Sequence, residues 1–147
     1  MVGFELTESL AGRFRLAADG IERPMTLTIR GRSSSIASFL RHPGLFIVGE
    51  IDAPGFADRR AVIGSLDAPN LLVDPRITYA FTFSDNDRAM HTFAGEKRLI
   101  RGSLVESFTL LTGVIRDARE QTVADVLLRF DLRGDLGTFA KSLRITR

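Results

Sequence analysis

The chain has no cysteine and no tryptophan, only two histidines and two lysines, and no apolar run that approaches the length of a membrane helix. Without cysteine there can be no disulfide, thiolate metal site, iron–sulfur cluster or thiol nucleophile, and nothing calls for an oxidising compartment. With two histidines, any metal site would have to be built mainly from carboxylates. Asp85-Asn86-Asp87 is too short for an EF-hand loop, so no metal is expected. A membrane helix needs about 20 apolar residues, and Met1 to Glu8 lack the basic and apolar regions of a secretion signal. The chain therefore reads as a soluble cytoplasmic protein with no membrane span.

Concentrated charge is also missing. The pI of 9.6 accompanies a net charge of only +2, because 18 of the 20 basic residues are arginines, which do not deprotonate in the ordinary range. Their densest groups are Arg30-Gly31-Arg32, Asp58-Arg59-Arg60 and Lys97-Arg98 with Arg101. A nucleic-acid groove would show a basic stripe interleaved with aromatics. No nucleic-acid partner is expected.

What is present is a four-fold rhythm of strand, polar turn and strand. The turns are Ala18-Asp19-Gly20, the run 53–58, Ser84-Asp85-Asn86-Asp87 and Asp117-Ala118-Arg119-Glu120. The first hairpin joins residues 4–17 to 24–32, where Met25, Leu27 and Ile29 alternate with Thr26, Thr28 and Arg30, the period-two signature of a half-buried strand. The second joins 45–51 to 61–66. In the third, Ile77, Tyr79, Phe81 and Phe83 share one face, and the return runs from Met90 to Leu99. The fourth joins 107–115 to 126–132, with Leu128, Phe130 and Leu132 inward.

Two helices are also expected. One is short, capped by Ser33-Ser34-Ser35 and closed by His42-Pro43-Gly44; the other begins at Asp135 and carries Leu136, Phe139, Ala140 and Leu143 on one face. Eight strands in successive hairpins form an antiparallel meander, which closes on itself to remove its edges. Glycines at Gly12, Gly49, Gly64, Gly95 and Gly113 lie inside strands and permit the bends of a barrel. The expected fold is thus a single all-β domain over residues 1–147, a calycin-like (lipocalin-like) antiparallel barrel. Strands 45–51 and 108–115 are apolar on both faces, so their outer faces call for a cover: the C-terminal helix, a twin subunit or a partner domain.

Several segments together resemble an accessory β domain found beside cholesterol-oxidase-like flavoenzymes of the glucose–methanol–choline class and beside some α/β-hydrolases. They are Phe4 to Gly12, Met25-Thr26-Leu27-Thr28-Ile29, Phe39-Leu40-Arg41-His42-Pro43, Gly49-Glu50-Ile51, Ile77 to Phe83 and Gly95-Glu96-Lys97. The resemblance implies an accessory or lipid-handling role. It supplies no catalytic residues, and the chain has neither the dinucleotide-binding glycine motif nor a Gly-x-Ser-x-Gly elbow.

The candidate site residues are those that parity directs inward. Lys97 shares its face with Phe93, Gly95 and Leu99, and a buried lysine needs a partner. Glu50, on the face of Phe46 and Val48, is a possible partner; the alternative has one or both side chains near a barrel mouth, reaching water. His42 reads as a helix cap and His91 as a solvated residue beside the third turn. Among 11 phenylalanines, Phe81, Phe83, Phe93, Phe108 and Phe130 either fill the core or line an apolar void beside Tyr79, the only phenol.

The leading expectation is non-catalytic binding of a hydrophobic small molecule, such as a lipid, sterol or fatty-acid-like compound, with no cofactor. The alternatives are an interaction module for an oxidoreductase or a second copy of the chain, and a cofactor-free cyclase or isomerase using Glu50 and Lys97 as acid and base.

Overall fold

Strand, turn and strand alternate where the turn residues place them. The computed structural model describes residues 3–33, 44–67, 76–98, 110–129 and 143–146, with the four tight turns included. The strands are β1 (Gly3–Leu16), β2 (Glu22–Ser33), β3 (Gly44–Ala53), β4 (Ala57–Asp67), β5 (Arg76–Ser84), β6 (Met90–Arg98), β7 (Leu110–Arg116), β8 (Thr122–Arg129) and β9 (Leu143–Thr146). All pair antiparallel. Each of β1 to β7 bonds to the next, and β8 returns to β1, so the meander is a closed eight-stranded barrel.

β1 is long enough to serve two successive partners along one edge. Ala11 to Leu16 pair with β8, whereas Gly3 to Leu6 pair with β9. Its other edge pairs with β2 from Phe4 to Arg15. β9 corrects the C-terminal helix expected from Leu136, Phe139, Ala140 and Leu143, since Leu143 opens a strand. The rest of that segment lies outside the described residues, as do the short helix expected over 34–43, His42, Phe108 and Phe130. Among the described residues no helix is long and apolar enough to cross a membrane.

All four tight turns lie at one end of the barrel, and at that end aspartates organise the backbone. The β5–β6 and β7–β8 turns repeat one five-residue design. Asp85 Oδ1 accepts from the amides of Asp87 and Ala89, and Asp117 Oδ1 from those of Arg119 and Gln121. The fourth residue of each, Arg88 (φ 66°) and Glu120 (φ 63°), is left-handed. Gly20 and Gly55 supply positive φ in the other two turns. The β3–β4 and β5–β6 turns also clasp each other: Asn86 donates its amide to Phe56 O and its side-chain NH₂ to Asp58 Oδ2, and accepts from Asp58 N.

Alternation selects the interior. Leu10, Phe14, Met25, Leu27, Ile29, Ile47 and Ile51 are buried on β1 to β3, and Tyr79, Phe81, Phe83, Phe93, Leu111, Ile115 and Leu128 on the later strands. A Cβ at Gly12, Gly49 or Gly64 would overlap a carbonyl oxygen of the neighbouring strand, at Leu127, Thr28 and Ala80 respectively. Glycine is therefore required for the close approach of the strands there. Gly95 and Gly113 face each other across β6 and β7, and the Phe93 ring covers both; an added Cβ on either would lie 2.6 Å from that ring.

On the outside, Phe46, Val48 and Ile63 are exposed, with Val48 opposite Ile63 across the β3–β4 ladder. This is the outer apolar face anticipated for the strand at 45–51.

Candidate functional site on the barrel axis

β1 and β5 stand on opposite walls: three strands separate them in either direction around the barrel. A contact between their inward side chains therefore crosses the lumen. Such a contact forms at Glu8, which accepts a hydrogen bond from Tyr79 Oη at 3.0 Å on Oε1 and 3.2 Å on Oε2. The Lys97 ammonium donates to Glu8 Oε2 at 3.0 Å. It also lies 5.2 Å from the centre of the Tyr79 ring, an additional cation–π contact.

Register explains why these three meet. Tyr79 pairs with Gly95 and Ile77 with Lys97, so Tyr79 and Lys97 are diagonal neighbours on the inner face of the β5–β6 ladder. The gap at Gly95 leaves no side chain between Phe93 and Lys97. Glu8 follows from β1, where Glu8, Leu10 and Phe14 are buried while Ser9, Arg13 and Arg15 are exposed.

The trio is nearly sealed from solvent. Glu8 is 6 %, Tyr79 1 % and Lys97 3 % exposed. Burial, then the Glu8 charge and the hydrogen bond to it, pushes the Tyr79 phenol well above its ordinary value of 10.0. Tyr79 is accordingly a donor in this arrangement and not a base. Lys97 has three N–H donors; one is directed at Glu8, and the other two have no acceptor among the described residues.

On the turn side of the trio the interior is filled by aromatic rings. Phe81 stacks on Phe93 with centroids 4.6 Å apart, and Phe83 stacks on His91 at 5.7 Å. Phe56 leans on Phe14, Phe83 and His91. His91 is buried, which corrects the solvated placement expected from its position beside the turn. Its Nε2 lies 2.8 Å from Asp85 Oδ2, and because a carboxylate only accepts, that nitrogen carries the proton. His91 Nδ1 is buried and has no hydrogen-bond partner among the described residues. Burial raises the Asp85 carboxyl, but the hydrogen bonds from His91 and from the amides of Ala89 and Asp87 outweigh it and hold the group below its ordinary value.

Set against family models, curated proteins and solved structures, the chain matches none. The resemblance to a flavoenzyme-associated domain rests on the quoted segments alone.

Of the residues singled out from the sequence, Lys97, Tyr79, Phe81, Phe83 and Phe93 all point inward and are buried. The three phenylalanines form the packed aromatic floor beneath the polar trio. Glu50 does not join them: it lies outside the barrel and pairs with Arg59 Nε at 3.3 Å. Its parity with Phe46 and Val48 is real, but that face of β3 points to solvent, and Leu45, Ile47 and Ile51 take the core. The Glu50–Lys97 acid–base pair therefore does not form. Nor does Lys97 reach water at a barrel mouth.

Sequence reasoning missed Glu8, the actual partner. Its signal was the period-two series Leu6, Glu8, Leu10, Gly12, Phe14 on β1, with one carboxylate among apolar residues. The same parity places His91 with Phe93 and Lys97.

Proposed function

We propose that the protein binds a hydrophobic small molecule within the barrel, on the side of the Glu8–Tyr79–Lys97 trio away from the tight turns. The observation that carries this reading is a buried, charged cross-tie on the axis of an apolar barrel, with donor capacity left over on Lys97. A barrel built for stability alone is served as well by apolar side chains at such a level, since a buried ion pair usually stabilises no more than a hydrophobic replacement. A few polar groups in a predominantly apolar enclosure are what a small-molecule site requires.

The two halves of the barrel support the choice of side. Below the trio, stacked rings occupy the interior. Toward the opposite end the inward side chains are aliphatic, with Leu45 and Leu66 buried and Ile77 half-buried against the core. The lipid-handling role implied by the resemblance agrees with this reading, as does a calycin-like barrel. With Tyr79 held protonated and Glu8 doubly engaged, the trio serves to orient a ligand; no acid–base role is assigned to it.

Native mass spectrometry of the purified protein, with organic extraction of released compounds, tests the proposal. A stoichiometric apolar adduct is expected. Bare protein that also fails to take up added alkyl ligands would overturn it.

A second reading rests on a separate observation, the exposed Phe46–Val48–Ile63 surface, which suits a second copy of the chain or an oxidoreductase partner. Sedimentation of the wild type against Phe46→Ser/Ile63→Thr tests self-association. A monomer in both would remove the second copy.

A further inference from the structure

We infer that the ligand is a neutral molecule with an apolar body and a single carbonyl group, of the ketone, aldehyde or ester class, and that Lys97 donates to the carbonyl oxygen. This deepens the reading above and rests on it.

Hydrogen-bond capacity in the trio is unequal. Glu8 already accepts three contacts through its two oxygens, and Tyr79 spends its only proton on Glu8. Among the described residues the unspent donors are the two remaining protons of Lys97, whereas the acceptor positions left on Glu8 and Tyr79 lie on groups already engaged with each other. A ligand group placed against this cluster gains by accepting. An amine would meet an ammonium with no carboxylate free to receive it.

Charge narrows the class further. Glu8 and Lys97 neutralise each other and Tyr79 is uncharged, so the trio carries no net charge. A fatty-acid carboxylate would bring an extra negative charge into an enclosure 1–6 % exposed, with no additional cation to balance it. Among the described residues the one other buried polar or charged side chain is His91, which is committed to Asp85 at the turn end. A carbonyl oxygen uses the spare donors without that charge. The apolar body is then left to the surrounding walls.

The experiment compares probes of matched length, 2-tridecanone, dodecanoate and dodecylamine, by isothermal titration calorimetry on the full chain at pH 7.5. The ketone is expected to bind roughly tenfold to a hundredfold more tightly than either charged probe, the range of one hydrogen bond to a charged group. Because Tyr79 is the only tyrosine and there is no tryptophan, its emission provides a second readout at the site and is expected to change with the ketone. Lys97→Met removes the donor but leaves Glu8 unpaired, so Glu8→Leu/Lys97→Met is the variant that keeps the test usable if the single change unfolds. In the double variant the ketone preference over the uncharged hydrocarbon tridecane is expected to disappear.

Equal or tighter binding of dodecanoate would overturn this inference while leaving the ligand-binding reading in place. Ketone selectivity that survives in Glu8→Leu/Lys97→Met would overturn the role of Lys97. Failure of every probe, tridecane included, would overturn the underlying reading as well.

Discussion

The two ends of the barrel are held together by different physics. At the turn end, contacts are numerous and mostly apolar: Phe14, Phe56, Phe81, Phe83 and Phe93 touch in series, and aspartates satisfy the turn amides locally. Toward the other end, an ionic knot joins opposite walls through residues 71 and 89 positions apart in sequence. Aromatic packing is graded, since losing one ring leaves the others in contact. A buried charge pair is all or nothing, since losing one partner strands the other. The first arrangement makes a floor that tolerates change, and the second fixes one geometry at one level of the lumen.

That contrast can be broken most forcefully at Lys97. Lys97→Met is expected to cost about 4 kcal/mol in urea denaturation, because Glu8 remains buried without its cation. Glu8→Leu/Lys97→Met should recover most of the loss. If the double variant is instead as unstable as the sum of the singles, the two residues are not coupled.

At the turn end, Phe83→Ala is expected to cost about 3 kcal/mol through the cavity it leaves. No partner substitution should rescue it, since the loss is of contact area and not of a compensating charge. Rescue by a change at Phe56 or His91 would make the turn end resemble the ionic knot after all.

The phenol sharpens the comparison by pH. Its folded value lies above the unfolded value of about 10, so the stabilisation is fully present below pH 10 and is lost as pH rises through the folded value. Above pH 10, stability should fall by up to about 1.4 kcal/mol per unit, and Tyr79→Phe should remove that slope. Since no other tyrosine is present, absorbance at 295 nm reads Tyr79 directly. Phenolate appearing near pH 10 in the folded protein would contradict its burial against Glu8.

The smallest effects belong to the turns. Arg88 and Glu120 hold left-handed backbone at equivalent positions of twin turns, so Arg88→Gly and Glu120→Gly should each stabilise by about 0.5 to 1 kcal/mol in thermal melts. The two should be equal and additive. A loss at either would show that its side chain contributes more than its backbone costs.

Much of this architecture was legible because turns and alternation are local signals. Asp85 to Ala89 and Asp117 to Gln121 announce tight turns by residue type, and β5 alternates so cleanly that Tyr79, Phe81 and Phe83 could face only one way. The inward face of β3 was not legible. Leu45, Ile47 and Ile51 compete with Phe46 and Val48 on equal terms, and nothing local tells which set the closed barrel will cover. Glu50 was misplaced for that reason. The Glu8–Tyr79 contact was harder still, because it depends on which walls end up opposite each other once β8 has closed on β1. Parity marks each residue as inward, but only closure brings them together.

The pairing of β9 with the start of β1 bears on how the chain is connected. Gly3 stands opposite Thr146 in that ladder, and paired Cα atoms in an antiparallel ladder lie about 5 Å apart. A linker of a few residues could therefore join Thr146 to Gly3, and the barrel could be opened at any of the four tight turns without breaking a strand. By the same geometry, a larger polypeptide could carry this barrel as an insertion, entering and leaving at a single point on its surface.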